Sequence, residues 1–318
     1  VTGPGRAAPA AGRAGPAVSA APRFEEVADG VHAFVQPAGG WCLNNAGVVT
    51  GSEGTVVVDT AATIARARLL RAEVEKVARA APLSVVNTHQ HGDHTFGNCV
   101  FVPEATVISH EEARREMAES GLGLQQLWPD VEWGEVALTL PSVTYTERMT
   151  LRTGEAEVHL IHVGPAHTCG DTAVWVPGSK VLFTGDLVMN GVTPFCLMGS
   201  VEGTLRALGQ LRALGATTVV PGHGEVGGPE IFDACEGYLR WIQRLASEGI
   251  AQRRTPREVA DTVAWEEWGG LLDRERIVPN LVRAYAEARG AAPGERIDER
   301  GAFGQMLEFH GGLPVCHA

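Results

Sequence analysis

The chain has 318 residues, 44% of them apolar, which is enough to bury the core of one large α/β domain with an appendage or of two ordinary domains. Its net charge of −12 at pH 7 is not accompanied by a basic stripe, so we expect no nucleic-acid partner. No window approaches the roughly 20 apolar residues of a membrane span, and the cysteines form no CxxC pair. These features predict a cytoplasmic protein with reduced thiols that binds neither nucleic acid nor a membrane.

The two ends of the chain differ in composition from its middle. Residues 1–22 are rich in Ala, Gly and Pro and contain no apolar run that could form the core of a signal peptide, so we predict a disordered tail. A mixed α/β domain is expected over residues 23–250. The pattern is helical in the last part of the chain, where Thr255-Pro-Arg-Glu258 forms a capping box, and we predict a C-terminal helical extension over residues 251–318.

The first half of the α/β domain alternates between strand and helix patterns, as a mixed sheet requires. The β-branched run over residues 54–59 predicts a buried strand, and residues 61–80 carry apolar side chains on one helical face. Residues 83–87 predict another strand, which leads into a polar loop that contains three histidines. A strand over residues 105–109 and a charged helix over residues 111–120 follow.

The second half repeats this order of strands followed by helices. Residues 143–186 predict consecutive strands, with a hairpin turn at Pro177-Gly178. Ser200 is the predicted N-cap of a helix, and residues 217–220 predict one more strand. Two such halves predict an αββα sandwich, in which two mixed sheets pack face to face and helices lie outside.

Metal-binding residue types are concentrated directly after the strand over residues 83–87. The segment Thr88–His94, THQHGDH, places three imidazoles and one carboxylate within six residues on an irregular loop. Imidazole nitrogen and carboxylate oxygen are ligands that suit Zn²⁺ and similar divalent ions. Gly92 permits the turn that Asp93 and His94 need in order to point into the same volume.

Three further ligand candidates each lie beside a glycine at the end of a predicted strand. They are His167 in GPAHTCGD, Asp186 in FTGD and His223 in PGHG. Side chains at strand ends lie along one edge of a rigid sheet, which preorganises a site. We therefore expect these residues to meet the histidine loop.

The motif HxHxDH, followed in order by Gly-x-x-His, TGD and GHG segments, resembles the metallo-β-lactamase superfamily. The resemblance implies the fold of that superfamily and two divalent metal ions, with Zn²⁺ the best match to the donor set. It also implies that the first metal is bound by His89, His91 and His167. The second would be bound by Asp93, His94 and His223, and Asp186 would bridge the two. Asp59, at the end of its strand, would support the metal loop from behind.

Two positions separate the chain from other branches of that superfamily. His91 stands where the di-iron flavoprotein branch has a glutamate, so the chain does not resemble that branch. Asp186 stands where some true β-lactamases have a cysteine, which disfavours degradation of β-lactam antibiotics.

A pair of metal ions about 3.5–4 Å apart can activate water and polarise a carbonyl oxygen. We expect Asp93 or Asp186 to pass the proton of that water to the leaving group. Esters, thioesters, lactams and lactones are all accessible to such a core, so the surrounding loops must select the substrate.

Aromatic and apolar residues are frequent in the loops that would surround the metals. The candidate pocket residues are Trp41 in GGWCLNN, Trp128 and Trp133 in LWPDVEW, and Phe195 and Met198 in GVTPFCLMGS. A pocket with so few polar groups would suit a flat, hydrophobic, aromatic acyl group.

A narrower resemblance covers most of the chain. GGWCLNNAG, HQHGDHTFGN, WPDVEW, GVTPFCLMGS and VPNLVRAY together are similar to an actinobacterial branch that includes actinorhodin-type cyclase/thioesterases of aromatic polyketide pathways. This likeness implies a poly-β-ketone thioester on an acyl carrier protein, which undergoes aldol ring closure, dehydration and thioester hydrolysis. A stand-alone thioesterase, a lactonase or a glyoxalase-II-like hydrolase would need only the same metals and is the alternative.

Overall fold

The computed structural model describes residues 21–36, 39–78 and 81–318. Two β-sheets pack face to face with helices on their outer faces, which confirms the predicted αββα sandwich. Of the predicted tail over residues 1–22, residues 1–20 lie outside the described residues. Within the described ranges, we find no helix that is long and apolar enough to cross a membrane.

The first sheet has seven strands that neighbour one another in chain order. They are β1 Arg23–Ala28, β2 Val31–Val35, β3 Ala46–Gly51, β4 Gly54–Val58, β5 Leu83–Val86, β6 Ala105–His110 and β7 Val143–Tyr145. The pairs from β1 to β4 are antiparallel, whereas β4 to β7 are parallel. Because parallel neighbours need a crossover, helix α1 (Ile64–Val77) connects β4 to β5, and the carboxyl ends of both strands lie at the same edge.

The second sheet has five strands in the order β12-β11-β10-β9-β8. They are β8 Arg148–Arg152, β9 Glu157–His162, β10 Thr172–Val176, β11 Val181–Met189 and β12 Thr218–His223. The predicted turn at Pro177-Gly178 joins β10 to β11. Strands β11 and β12 are parallel, so both also end at one edge of their sheet.

Several of the helices begin directly after a residue whose side chain caps them. After α1 they are α2 Gly92–Thr95, α3 Glu111–Ser120, α4 Leu124–Leu127, α5 Val201–Arg212, α6 Glu230–Ala251, α7 Pro256–Thr262, α8 Ile277–Ala288 and α9 Glu299–His310. Ser200 Oγ accepts a hydrogen bond from the Gly203 N–H at 2.8 Å, and the predicted capping box of α7 is formed. The helix predicted over residues 61–80 begins later, at Ile64, because Thr63 caps it.

Apolar side chains fill three layers. Valines of both sheets meet Phe183 between the sheets, and Leu70 of α1 packs behind the first sheet. Behind the second sheet, Leu208 of α5, Leu239 of α6 and Leu281 of α8 belong to one core. Burial of each such side chain contributes about 1.5–3 kcal/mol. The helices beyond residue 250 therefore share a core with α5 and α6.

This packing brings the carboxyl ends of β5, β11 and β12 together at one edge of the sandwich. The parallel pairing of β11 and β12 shifts its register between Phe183 and Met189, which lets Asp186 approach the end of β12 closely. Gly222 permits this approach, because a Cβ atom there would lie 2.0 Å from Asp186 Oδ1. The predicted ligand residues therefore converge on a single volume.

Candidate metal centre

The first group of metal-binding side chains contains three imidazoles. His91 Nδ1 lies 3.1 Å from His89 Nε2 and 2.9 Å from His167 Nε2. Asp186 Oδ2 lies 3.8 Å from His89 Nε2 and 3.4 Å from His167 Nε2. These four residues offer one donor atom each, all within 4.8 Å of one another.

The second group combines Asp93, His94 and His223. Asp93 Oδ2 lies 3.3 Å from His223 Nε2 and 3.8 Å from His94 Nε2. Asp186 Oδ1 lies 3.2 Å from His94 Nε2 and 3.4 Å from His223 Nε2. The carboxylate of Asp186 thus directs one oxygen to each group, which is the arrangement expected of a bridge between two ions.

The hydrogen-bond partners of the outward-facing ring nitrogens determine which nitrogen of each imidazole carries the proton. Four of the outward nitrogens face an oxygen that accepts a hydrogen bond. Three of these oxygens belong to carbonyl or carboxylate groups, and the fourth, Thr88 Oγ1, already donates its own proton to Asp59. The pairs are His89 Nδ1 to Thr88 Oγ1 at 3.0 Å, His94 Nδ1 to Asp59 Oδ2 at 2.8 Å, His167 Nδ1 to the Phe195 carbonyl at 2.5 Å, and His223 Nδ1 to the Gly39 carbonyl at 3.0 Å. His91 Nε2 faces the sulfur of Met198 at 3.1 Å.

With the outward nitrogens protonated, the inward nitrogens of the neutral first-group rings, His89, His91 and His167, present lone pairs. Lone pairs 2.9–3.1 Å apart repel one another unless a cation lies among them. Two buried inward atoms, His94 Nε2 and Asp186 Oδ1, have no hydrogen-bond partner in the protein. Five imidazole nitrogens and two carboxylates are a donor set that fits two divalent ions, so the residues match a dinuclear metal site.

The pKa shifts of the first group favour metal binding at neutral pH. Burial, reinforced by His167, lowers the pKa of His91 to about 3. Burial is also the main cause that lowers the pKa values of His89 and His167. All three rings are therefore neutral at pH 7 and can bind a metal ion there.

The second group carries an excess of negative charge. Burial alone would lower the pKa of His223, but the carboxylates of Asp186 and Asp93 outweigh it and raise that pKa to about 9. In the same way, Asp186 and Asp59 outweigh burial and raise the pKa of His94. Positive charge is thus strongly favoured here, whether a proton or a metal ion supplies it.

Asp59 lies behind the metal loop, as the resemblance implied. Its Oδ1 accepts from the Thr88 N–H at 2.7 Å, and its Oδ2 accepts from Thr88 Oγ1 at 2.7 Å and from His94 Nδ1 at 2.8 Å. Its backbone φ of 59° is left-handed, a region that Asp tolerates better than most residues. One carboxylate thus fixes both the backbone of the loop and a ring of the second group.

A cleft with an empty volume of about 560 Å³, which includes its solvent-exposed part, opens onto Asp93, Asp186 and three of the histidines, His91, His167 and His223. Four of the predicted pocket residues line it, namely Trp41, Trp128, Phe195 and Met198. Trp133 lies elsewhere: its ring packs on Phe96 at 6.0 Å, and its Nε1–H donates to the Trp128 carbonyl at 3.0 Å. The structure therefore places Trp133 behind Trp128 and not on the cleft surface.

Trp41 is held as a fixed wall of the cleft. Its Nε1–H donates to Glu275 Oε1 at 2.7 Å, and its ring lies 4.1 Å from the guanidinium carbon of Arg276. The rings of Trp128 and Phe195 lie 5.6 and 5.8 Å away. Contacts on several sides therefore fix the orientation of the indole.

Other residues of the cleft have no counterpart among the sequence predictions. Arg276 and Phe303 come from the C-terminal part of the chain, and Leu124 and Leu127 come from α4. Arg276 is buried and pairs with Asp273 Oδ2 at 2.9 Å. No motif marks these residues, since only the packing of α8 and α9 against the sandwich brings the first two to the cleft.

The family comparison agrees with this geometry. A model described as the metallo-beta-lactamase superfamily matches residues 39–223, more than half of the chain, and the match spans all seven proposed ligands. The chain belongs to the metallo-β-lactamase superfamily. Among solved structures, a metallo-beta-lactamase from Pontibacter korlensis shares the fold, with a TM-score of 0.58 and 21% identity over 69% of this chain and 99% of that one.

Curated relatives of this superfamily member act on several kinds of substrate. The 2,4-dinitroanisole O-demethylase subunit alpha of Nocardioides sp. (strain JS1661) is 29% identical over 55% of this chain and 51% of its own. The linear primary-alkylsulfatase of Pseudomonas sp. is 24% identical over 74% of this chain and 50% of its own. The acyl-coenzyme A thioesterase MBLAC2 of Homo sapiens is 26% identical over 61% of this chain and 78% of its own. The chain spans about half the length of the first two.

Proposed function

We propose that this superfamily member is a dinuclear metal-dependent hydrolase of acyl thioesters and that its ions are Zn²⁺. The observation that carries the proposal is the carboxylate of Asp186, which presents one oxygen to each group of ligands at the base of an apolar cleft. We propose His89, His91 and His167 for one ion and Asp93, His94 and His223 for the other. Two ions held in this way supply an activated water and a polarised carbonyl.

The residues of the chain would perform the remaining tasks. Asp93 borders the cleft, and burial, which alone would raise its pKa, is outweighed by His94 and His223, so that its pKa is lowered. An ionised Asp93 can hold the proton of the attacking water and then return it to the departing thiolate. Asp186 has a pKa lowered by His223 and His94 despite burial, and it is the second candidate for that transfer.

The residues that line the cleft favour an aromatic acyl group as the substrate. Trp41, Trp128 and Phe195 offer ring faces and edges, and Met198 and Leu124 add further apolar surface. Aromatic rings in such surroundings gain about 0.5–1.5 kcal/mol per ring pair beyond the burial of their area. Among the relatives, one is a thioesterase and another is named for an aromatic ether, which supports a substrate with both features.

At a finer level we propose that the substrate is an aromatic polyketide thioester on an acyl carrier protein. Asp93 or Asp186 would then also remove a proton from the carbon beside a carbonyl, which starts aldol closure, before dehydration and thioester hydrolysis. The motifs shared with the cyclase/thioesterase branch support this proposal. A stand-alone thioesterase, a lactonase or a glyoxalase-II-like hydrolase is the alternative.

A substrate panel tests the proposed reaction class. Zinc-supplemented protein would be assayed with naphthoyl and acetyl thioesters of N-acetylcysteamine, an aryl lactone, a β-lactam and an aryl methyl ether. We expect the naphthoyl thioester to have the highest kcat/KM, roughly tenfold or more above the acetyl thioester. Turnover of the lactone, lactam or ether without thioester hydrolysis would overturn the thioesterase proposal.

A further inference from the structure

One ligand histidine differs from the other four in the partner of its outward nitrogen. His91 Nε2 points at the thioether sulfur of Met198 at 3.1 Å, whereas the others face oxygen. The same sulfur lies 3.7 Å from Gln90 Nε2, so two N–H groups converge on it. A thioether sulfur is a weak hydrogen-bond acceptor.

The backbone next to Met198 is held against the loop that carries His167. The next residue, Gly199, lies so close to Ala166 that an added Cβ would be 2.1 Å from the Ala166 carbonyl oxygen. The Ser200 N–H donates to the same carbonyl at 2.7 Å. The segment with Met198 is therefore tied to the loop that carries His167, a second ligand of the same group.

The inner nitrogen of His91 depends on the orientation of its ring. Nδ1 lies among the nitrogens of His89 and His167, and a half-turn of the ring about its Cβ–Cγ bond would replace it with a carbon atom. Such a turned ring has no donor for a metal ion. The contact between Nε2–H and sulfur favours the orientation in which Nδ1 faces inward.

We propose that Met198 is a positioning residue, which holds the His91 ring so that its Nδ1 lone pair faces the first metal position. This role goes beyond contact with substrate and rests on the proposed metal ligands. Partners behind a metal-bound histidine typically change metal affinity by 10–100-fold when they are removed. A weak thioether acceptor places Met198 near the lower end of that range.

The test measures zinc affinity and not turnover. Wild-type protein, Met198→Leu and Met198→Gln would be titrated with Zn²⁺ against a chromophoric chelator. Leucine keeps the side-chain volume and removes the acceptor, a swap that cores tolerate well, whereas the glutamine amide oxygen restores an acceptor. Met189→Leu is the matched control, because Met189 lines the same cleft but its sulfur accepts from Arg276 Nη1.

We expect one of the two Zn²⁺ ions to bind roughly tenfold more weakly in Met198→Leu, with the other changed less than about twofold. Met198→Gln and Met189→Leu should bind both ions about as tightly as wild type, and circular dichroism would verify that all variants fold. Unchanged affinities in Met198→Leu, or equal losses in the Leu and Gln variants, would overturn the positioning role. A wild-type protein that binds no Zn²⁺ would overturn the ligand set itself.

Discussion

At the scale of single residues, Asp59 links the backbone of the metal loop to a ligand ring. Its Oδ2 accepts from His94 Nδ1, and its left-handed backbone is one that asparagine also tolerates. Asp59→Asn should therefore keep the fold but lose the charged acceptor, and we expect zinc at the second position to bind 10–100-fold more weakly. The ions retained after dialysis against a chelator measure this. Full retention in Asp59→Asn would show that the carboxylate does not support the site.

Trp41 gives a second prediction at the residue scale. Trp41→Ala should reduce kcat/KM for the naphthoyl thioester roughly tenfold more than for the acetyl thioester, because only the large acyl group loses the contact with its ring. Trp133→Phe is the control, since Trp133 lies behind Trp128 and should leave the ratio of the two substrates unchanged. Equal losses for both substrates in Trp41→Ala would mean that the indole supports the fold alone.

At the scale of elements, the capping box of α7 is a local feature that the sequence predicts fully. The Thr255 side chain accepts from the Glu258 N–H, and the Glu258 side chain accepts from the Thr255 N–H at 2.8 Å. Thr255→Ala should lower the free energy of unfolding by about 1 kcal/mol, whereas Thr255→Ser should retain most of it. Urea denaturation measures both. An unchanged midpoint in Thr255→Ala would show that α7 contributes nothing to cooperative unfolding.

Elements were predictable where the deciding interactions are local. Strand periodicity, the Ser200 cap and the Pro177-Gly178 turn depend on residues close together in the sequence. The cleft wall was predicted only in part, because Arg276 meets Trp41 across more than two hundred residues of chain. Arg276 and Phe303 carry no motif that points to this contact. Trp133 shares a loop with Trp128, and only the packed structure separates the buried indole from the one on the cleft surface.

At the scale of the whole molecule, the resemblance to the superfamily let us propose candidate metal ligands before the fold was known, because these residues lie at strand ends in a fixed order. Partner recognition depends instead on surface charge. The chain has a net charge of −12, and an acyl carrier protein is also acidic in general, so docking requires a local positive patch. The candidate pairs are Arg253 with Arg254 and Arg114 with Arg115.

Reversal of each pair to glutamate tests the proposed carrier partner. Arg115 already pairs with Glu112 and Glu119, and Arg254 donates to the Glu258 carbonyl and to Thr262 Oγ1, so the small thiol mimic is needed as a control for the loss of these contacts. The rate with a carrier-bound thioester should fall, more strongly at low salt, while the rate with the small thiol mimic stays constant. Unchanged kinetics with the carrier-bound thioester in both reversals would exclude these arginines as the docking patch and would argue against an acyl carrier protein as the partner.

Metal stoichiometry tests the proposed dinuclear centre most directly. Protein supplemented with Zn²⁺ and freed of loosely bound ions by gel filtration would be examined by elemental analysis, beside Asp186→Ala. We expect about two ions per chain in the wild type, because both triads and the bridge are present. Asp186→Ala should retain fewer, since it loses an oxygen donor at both positions. A folded wild-type protein that holds no zinc, or an Asp186→Ala variant that holds two ions as tightly, would contradict the dinuclear site.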